Sequence, residues 1–202
     1  MSDPTKVEER GWWEAFKQGD QQALHELYTR YFDRLYSYGY RLCNQRDLLE
    51  DIVQEFFLKL MRTRQNLATP DSVQAYMFHG FRMLLIDKLA QQNRRLSKEN
   101  AEWIPFDMGE MHDRMADKEL DRERTAKLKK ALDQLTDRQR EAIFLRYFEE
   151  LPYPEIANML QLSQKAAYKL IGRAMAVLKD SATMLVMIFL PILLFIIQKA
   201  VG

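Results

Sequence analysis

Leu132 to Lys179 reads "LDQLTDRQREAIFLRYFEELPYPEIANMLQLSQKAAYKLIGRAMAVLK", and its local punctuation decides the fold. Thr136 stands at an N-cap position ahead of a helix that starts at Asp137 and carries Ala142, Ile143, Leu145 and Tyr147. Proline is accepted in a first helical turn, so Pro154 lets "PEIANML" read as the next helix. "QLS" then makes a short turn, and Ser163 caps a last helix from Gln164 to Lys179. Two short helices joined by such a turn predict a helix-turn-helix. The last helix has two faces. Ala167, Leu170, Ile171, Ala174, Val177 and Leu178 repeat at core spacing, whereas Lys165, Tyr168, Lys169, Gly172 and Arg173 lie opposite. No acid occurs between Glu155 and Asp180. A basic, acid-free helix face suits the phosphates and guanine edges of a major groove, although three bases at i, i+4 and i+8 also occur on ordinary solvated helices.

Outward from this segment the whole chain predicts an all-α protein. It has 202 residues, 47% of them hydrophobic, with few Gly and Pro and no alternating β-branched runs. A formal net charge of +1 does not announce a nucleic-acid partner, so charge has to be read locally. The single cysteine, Cys43, excludes an intrachain disulfide framework, and the polar amino terminus shows no secretory signal; both fit a cytoplasmic protein. Upstream, Gly19-Asp20 stops a short helix from Trp12 and caps one running from Gln21 to Cys43. A further helix spans Asp47 to about Arg64. Asp71 or Ser72 caps another through Gln92. These elements predict a first helical domain over 10–95. Residues 96–124 read as a linker: Ser97 to Arg124 holds nine acids against five bases, with Pro105 and Gly109 and few aliphatics. The second helical domain covers 125–180.

Two stretches resemble one family. "DLLEDIVQEFFLKLMRTRQNL" followed by "AYMFHGFRMLLIDKLAQQNRR" resembles region 2 of the sigma-70 family of bacterial transcription initiation factors, and the opening segment resembles its region 4. The order, the spacing and the length resemble the extracytoplasmic-function group, over roughly residues 11–179. The resemblance implies a protein that binds core RNA polymerase through the β′ clamp and β flap, recognises and melts promoter DNA, and works with no cofactor. It assigns Asp51, Gln54 and Glu55, on the side of their helix opposite Ile52, Val53 and Phe56, to polymerase binding. It assigns Tyr76, Phe78, His79, Arg82, Met83 and Lys88 to the promoter −10 element, where aromatic rings stack unpaired bases and cations hold the single-stranded backbone. Lys165, Tyr168, Lys169, Gly172 and Arg173 match the −35 readers. Three positions depart from the family pattern. Met83 replaces an Asn that could hydrogen-bond a base edge, Gln161 stands where the turn has Gly, and Gly172 stands where a larger side chain is usual. The linker in this group threads the nucleic-acid path of the polymerase, and anti-sigma proteins are a partner class.

Other functions receive little from these residues. His25, His79 and His112 share no ligand spacing, and no Gly-rich phosphate loop is present, so neither a metal site nor intrinsic catalysis is expected. A helix-turn-helix regulator acting without core polymerase, and a membrane-tethered helical adaptor, are the alternatives. The second arises from the tail, residues 181–202. Ser181 to Gln198 holds 18 uncharged residues, close to the ~20 needed to span a bilayer as a helix. That hydrophobic helix reads equally as a membrane contact or as a segment packed on protein.

Overall fold

The computed structural model describes residues 4–92, 105–108 and 130–179. Those residues form helices joined by short turns, and the chain divides into two units, Met1–Pro105 and Phe106–Gly202. Among its described residues the first unit holds α1 (Pro4–Lys17), α2 (Gln21–Cys43), α3 (Arg46–Thr63) and α4 (Val73–Gln92), with a 3-10 turn at Arg64–Asn66. The caps read from the sequence are in place. The Asp20 carboxylate accepts from the amides of Gln22 and Ala23 at 2.7 and 3.1 Å, and Ser72 Oγ accepts from the Ala75 amide at 3.1 Å. Gly19 adopts φ +94°, the left-handed conformation in which glycine ends a helix at no steric cost.

α1 is longer than expected. It begins at Pro4 rather than near Trp12, although Pro4–Gly11 is almost wholly polar. Tertiary contacts hold it. Glu9 is buried and pairs with Arg30 of α2 at 3.3 Å, while Trp13, fully buried, donates from Nε1 to the Ala68 carbonyl at 3.1 Å. Lys17 Nζ reaches Thr69 Oγ1 at 3.1 Å, and Thr69 also donates to Glu14. This contact and the nearby Lys17 ammonium lower the Glu14 carboxyl pKa.

The core is aromatic. Tyr31, Leu35 and Tyr38 from α2 meet Leu49, Ile52 and Val53 from α3 and Phe78, Phe81 and Leu85 from α4, with Phe56 and Phe81 edge-to-face at 5.8 Å. α4 buries residues on most of its circumference, so it carries no clear amphipathic stripe. Gly39 marks the closest approach of α2 to this core. A Cβ there would collide with Leu49 Cδ1 and lie 3.0 Å from the Phe81 ring. Leu49 and Phe81 are both fully buried and have nowhere to retreat. Overpacking of this kind costs about 1–3 kcal/mol, against about 1 kcal/mol gained from alanine's helix propensity. Gly39→Ala is therefore expected to lower the urea midpoint of the chain, by a net loss of about 1 kcal/mol.

The second unit contains a helical turn over 130–133, then α5 (Asp137–Tyr147), α6 (Tyr153–Met159) and α7 (Gln164–Lys179). Thr136 and Gln139 form a reciprocal capping box at the start of α5. Arg140 gathers the carbonyls of Leu132 and Leu135, at 3.2 and 2.7 Å, onto α5. Residues 106–108 belong to this unit too, which the reading of 96–124 as a linker did not anticipate. Phe106 and Met108 are buried, the Phe106 amide donates to Asp137 Oδ1 at 2.9 Å, and its carbonyl accepts from Arg140 Nε at 2.9 Å. The rest of the linker and the tail at 181–202 lie outside the described residues.

Candidate functional site

Three surfaces gather the residues singled out in the sequence. On α3, Asp51, Gln54 and Glu55 are exposed, backed by the buried Ile52, Val53 and Phe56. The helical period thus delivers an acidic face supported by a rigid core. Glu55 does not stand alone: its Oε2 lies 2.6 Å from Lys88 Nζ on α4. An expected DNA-binding cation and an expected polymerase-binding carboxylate are therefore partners in this chain.

Beside this face lies a surface that the sequence reading missed. Tyr28, Leu58 and Met61 are large apolar residues left 39%, 48% and 39% exposed. With Leu24, His25 and Phe57 they line an open groove of about 540 Å³ between α2 and α3, which Gln54 also borders. Contiguous exposed apolar surface rimmed by polar groups marks interaction sites. The signal was present in Leu58 and Met61, three residues apart on the outer side of a helix whose inner side was already filled.

On α4 the expected promoter-melting residues separate. Phe78 is fully buried, its ring 5.5 Å from that of Tyr38 and 5.5 Å from the Arg34 guanidinium. Arg82 is also buried. Both were expected on the DNA-facing side, and in this conformation neither is exposed. The cause is the deep embedding of α4, which a sequence rich in apolar residues at every phase could not resolve. Tyr76, His79 and Met83 recur at i, i+3 and i+7 and are all partly exposed. Tyr76 packs edge-on against Trp13 at 4.9 Å, and burial raises its phenol pKa.

On α7, Lys165, Tyr168, Lys169, Gly172 and Arg173 are all exposed, and Ala167, Ile171, Ala174 and Leu178 are buried. Leu170 and Val177, expected in the core, are half-buried. Ser163 Oγ accepts from the Ala166 amide at 3.2 Å, so the helix start is capped as read. The preceding turn is held to α5 because Arg138 donates to the Leu160 carbonyl, and to α6 because the Leu162 amide donates to the Ala157 carbonyl at 2.7 Å. Tyr168 is not a lone side chain. Its ring stacks on that of Tyr153 with centroids 4.0 Å apart and planes 14° from parallel, and the Arg146 guanidinium lies 5.2 Å from the Tyr153 centroid. A Cβ on Gly172 would meet nothing within 4 Å.

Gln161 in the turn has φ +52°, a left-handed conformation that costs a residue with a Cβ about 1–2 kcal/mol. Gln161→Gly is expected to relieve it and raise stability by about 1 kcal/mol after glycine's own entropy is counted. Thermal melting of wild type and variant checks this; an unchanged or lower Tm would show that the turn is not strained.

Among the described residues, no group of three or more His, Cys, Asp or Glu could hold a metal ion. Among the same residues no helix is long and apolar enough to cross a membrane. His112 and the apolar run 181–198 lie outside them.

A helical unit with an acidic outer helix, followed by a helix-turn-helix unit with an acid-free basic helix, defines a two-part DNA-binding transcription factor. The profile of Sigma-70 region 2 matches residues 27–95, and that of Sigma-70, region 4 matches residues 125–178. The ECF RNA polymerase sigma factor SigE of Mycolicibacterium smegmatis is 29% identical over 172 residues, covering 80% of this chain and 63% of the relative. RNA polymerase sigma factor YlaC of Bacillus subtilis is 24% identical over 169 residues, covering 81% of this chain and 94% of the relative. The fold is shared with the sigma factor RpoE of Bartonella quintana, solved in complex with the anti-sigma factor NepR, at a TM-score of 0.54 and 19% identity over 78% of this chain and 95% of that one. The chain belongs to the sigma-70 family of RNA polymerase sigma factors, in the extracytoplasmic-function group.

Proposed function

We propose that this chain binds core RNA polymerase, recognises and melts promoter DNA and directs initiation, leaving all catalysis to the polymerase. The observation that carries the proposal is the pairing in one chain of an exposed acidic face on region 2 with an acid-free basic face on region 4. Asp51, Gln54 and Glu55 meet the β′ clamp, and region 4 meets the β flap and the −35 element through Lys165, Tyr168, Lys169 and Arg173. Tyr76, His79 and Met83 form the outward side of the −10 helix; Lys88 joins them when Glu55 releases it. Met83 lacks the donor and acceptor of an amide, so its contact with a base is apolar.

An anti-sigma partner is a further element of this reading, since RpoE of Bartonella quintana was solved with one. The apolar groove bordered by Gln54 suits a helical partner segment. The uncharged stretch 181–198 is a regulatory segment that meets either lipid or protein; flotation of the full chain with liposomes separates the two, since only a lipid-binding tail floats. The proposed site of action is the cytoplasm, where polymerase works.

Run-off transcription with purified core polymerase and a promoter library tests the main proposal. Promoter-dependent transcripts that require the chain are the expected result. Duplex binding without polymerase co-purification would instead favour a helix-turn-helix regulator.

A further inference from the structure

From the geometry on α5, α6 and α7 we infer that Arg146 and Tyr153 are positioning residues that hold the Tyr168 ring as a reader of a thymine methyl group in the −35 duplex. This rests on the reading that region 4 faces DNA through α7.

Tyr168 sits in the N-terminal half of the second helix of the helix-turn-helix, the part that meets base edges when such a helix enters the major groove. It is 55% exposed, yet one face of its ring is covered by Tyr153 at 4.0 Å and 14°. An exposed tyrosine would otherwise sample several rotamers and lose that freedom on binding. Here the stack orders the ring before DNA arrives. Preordered side chains lower the cost of association.

Tyr153 is fixed in turn. The Arg146 guanidinium lies 5.2 Å from its centroid, and Arg146 Nη1 donates to the Leu151 carbonyl at 3.2 Å, so the cation is anchored to the turn before α6. The order of support runs from α5 through α6 to the reading helix. The face of the ring is flat and apolar, and Lys165 and Lys169 lie on one flank of the helix, about 60° and 100° around from it by the helical period. Flanking ammonium groups seat the helix on phosphates but carry no sequence information. The ring beside them carries the apolar contact to the groove floor, where the group that takes such a contact is the thymine methyl.

The test uses the full chain bound to core polymerase, selecting from a duplex library randomised upstream of the initiation site. Wild type is expected to enrich a thymine at one −35 position. Replacing that thymidine with deoxyuridine removes only the methyl group and is expected to weaken wild type by about five- to tenfold, within the worth of one base contact. Tyr168→Leu should lose the enrichment and become indifferent to the deoxyuridine change. Tyr153→Leu should lose it as well, while Tyr153→Phe, which keeps a stacking ring, should retain it.

A clamp with no reading role predicts otherwise. Tyr153→Leu would then lower the melting temperature and leave the selected sequence intact, and that outcome overturns the inference. So does a wild-type protein indifferent to deoxyuridine, a measurement that stands even if Tyr153→Leu fails to fold. Failure of the underlying reading looks different: Lys169→Ala with Arg173→Ala would leave upstream duplex contacts unchanged, and no upstream sequence would be enriched at all.

Discussion

Asp51→Arg combined with Glu55→Arg is expected to reduce binding to core polymerase by at least about a hundredfold while leaving the chain folded. Both side chains are exposed, and the residues that anchor α3 to the core lie on its other side. Surface substitutions of this kind usually change stability by about 0.5 kcal/mol or less. At a basic partner surface the same reversal sets like charges against each other, at a cost of several kcal/mol; each 1.4 kcal/mol is tenfold in affinity. Glu55→Arg also removes the partner of Lys88, and that local effect needs its own control. Adding Lys88→Glu to the double variant restores a bridge of reversed polarity without restoring the acidic face. Binding is expected to stay lost in the triple variant. Recovery there, or full recovery of the double variant in a polymerase pull-down, would place the polymerase contact elsewhere.

Lys169→Ala with Arg173→Ala should weaken duplex binding by the full chain and flatten its salt dependence. Each phosphate contact contributes about −0.9 to the slope of log K against log salt, so the double variant should lose roughly 1.8 from that slope. Near-physiological salt makes this a loss of about tenfold or more. Equal slopes would mean that the two side chains do not face phosphate. Gly172 offers the converse experiment. The site is open and lies between the two cations, so Gly172→Arg has room, restores about 1 kcal/mol of helix propensity and should steepen the slope by about one contact.

The sequence was most informative where structure is set locally. Asp20, Thr136 and Ser163 cap the helices they were expected to cap, because a side-chain acceptor and the next few amides are close in sequence as well as in space. The acidic face of α3 and the basic face of α7 were legible for a related reason: both helices are amphipathic, and a 3.6-residue period sorts inward from outward positions. α1 was legible only from Trp12, since its first turns depend on Glu9 meeting Arg30, a partner 21 residues away. The burial of Phe78 and Arg82 was not legible because α4 buries residues on most of its circumference, and periodicity then gives little phase. Phe106 and Met108 escaped notice because two apolar residues in an acidic stretch resemble a spacer until Asp137 and Arg140 are seen to grip the backbone between them.

The 2.6 Å contact between Lys88 and Glu55 links the two faces of region 2 proposed to meet polymerase and DNA. On the proposed reading, a basic protein surface at Glu55 and a phosphate at Lys88 each compete with this bridge, so the arrival of one loosens it for the other. The coupling is reciprocal and is bounded by the worth of a partly exposed ion pair, about 0–1 kcal/mol. The isolated chain thus keeps a cation and an acid mutually quenched, and assembly on either side primes the other.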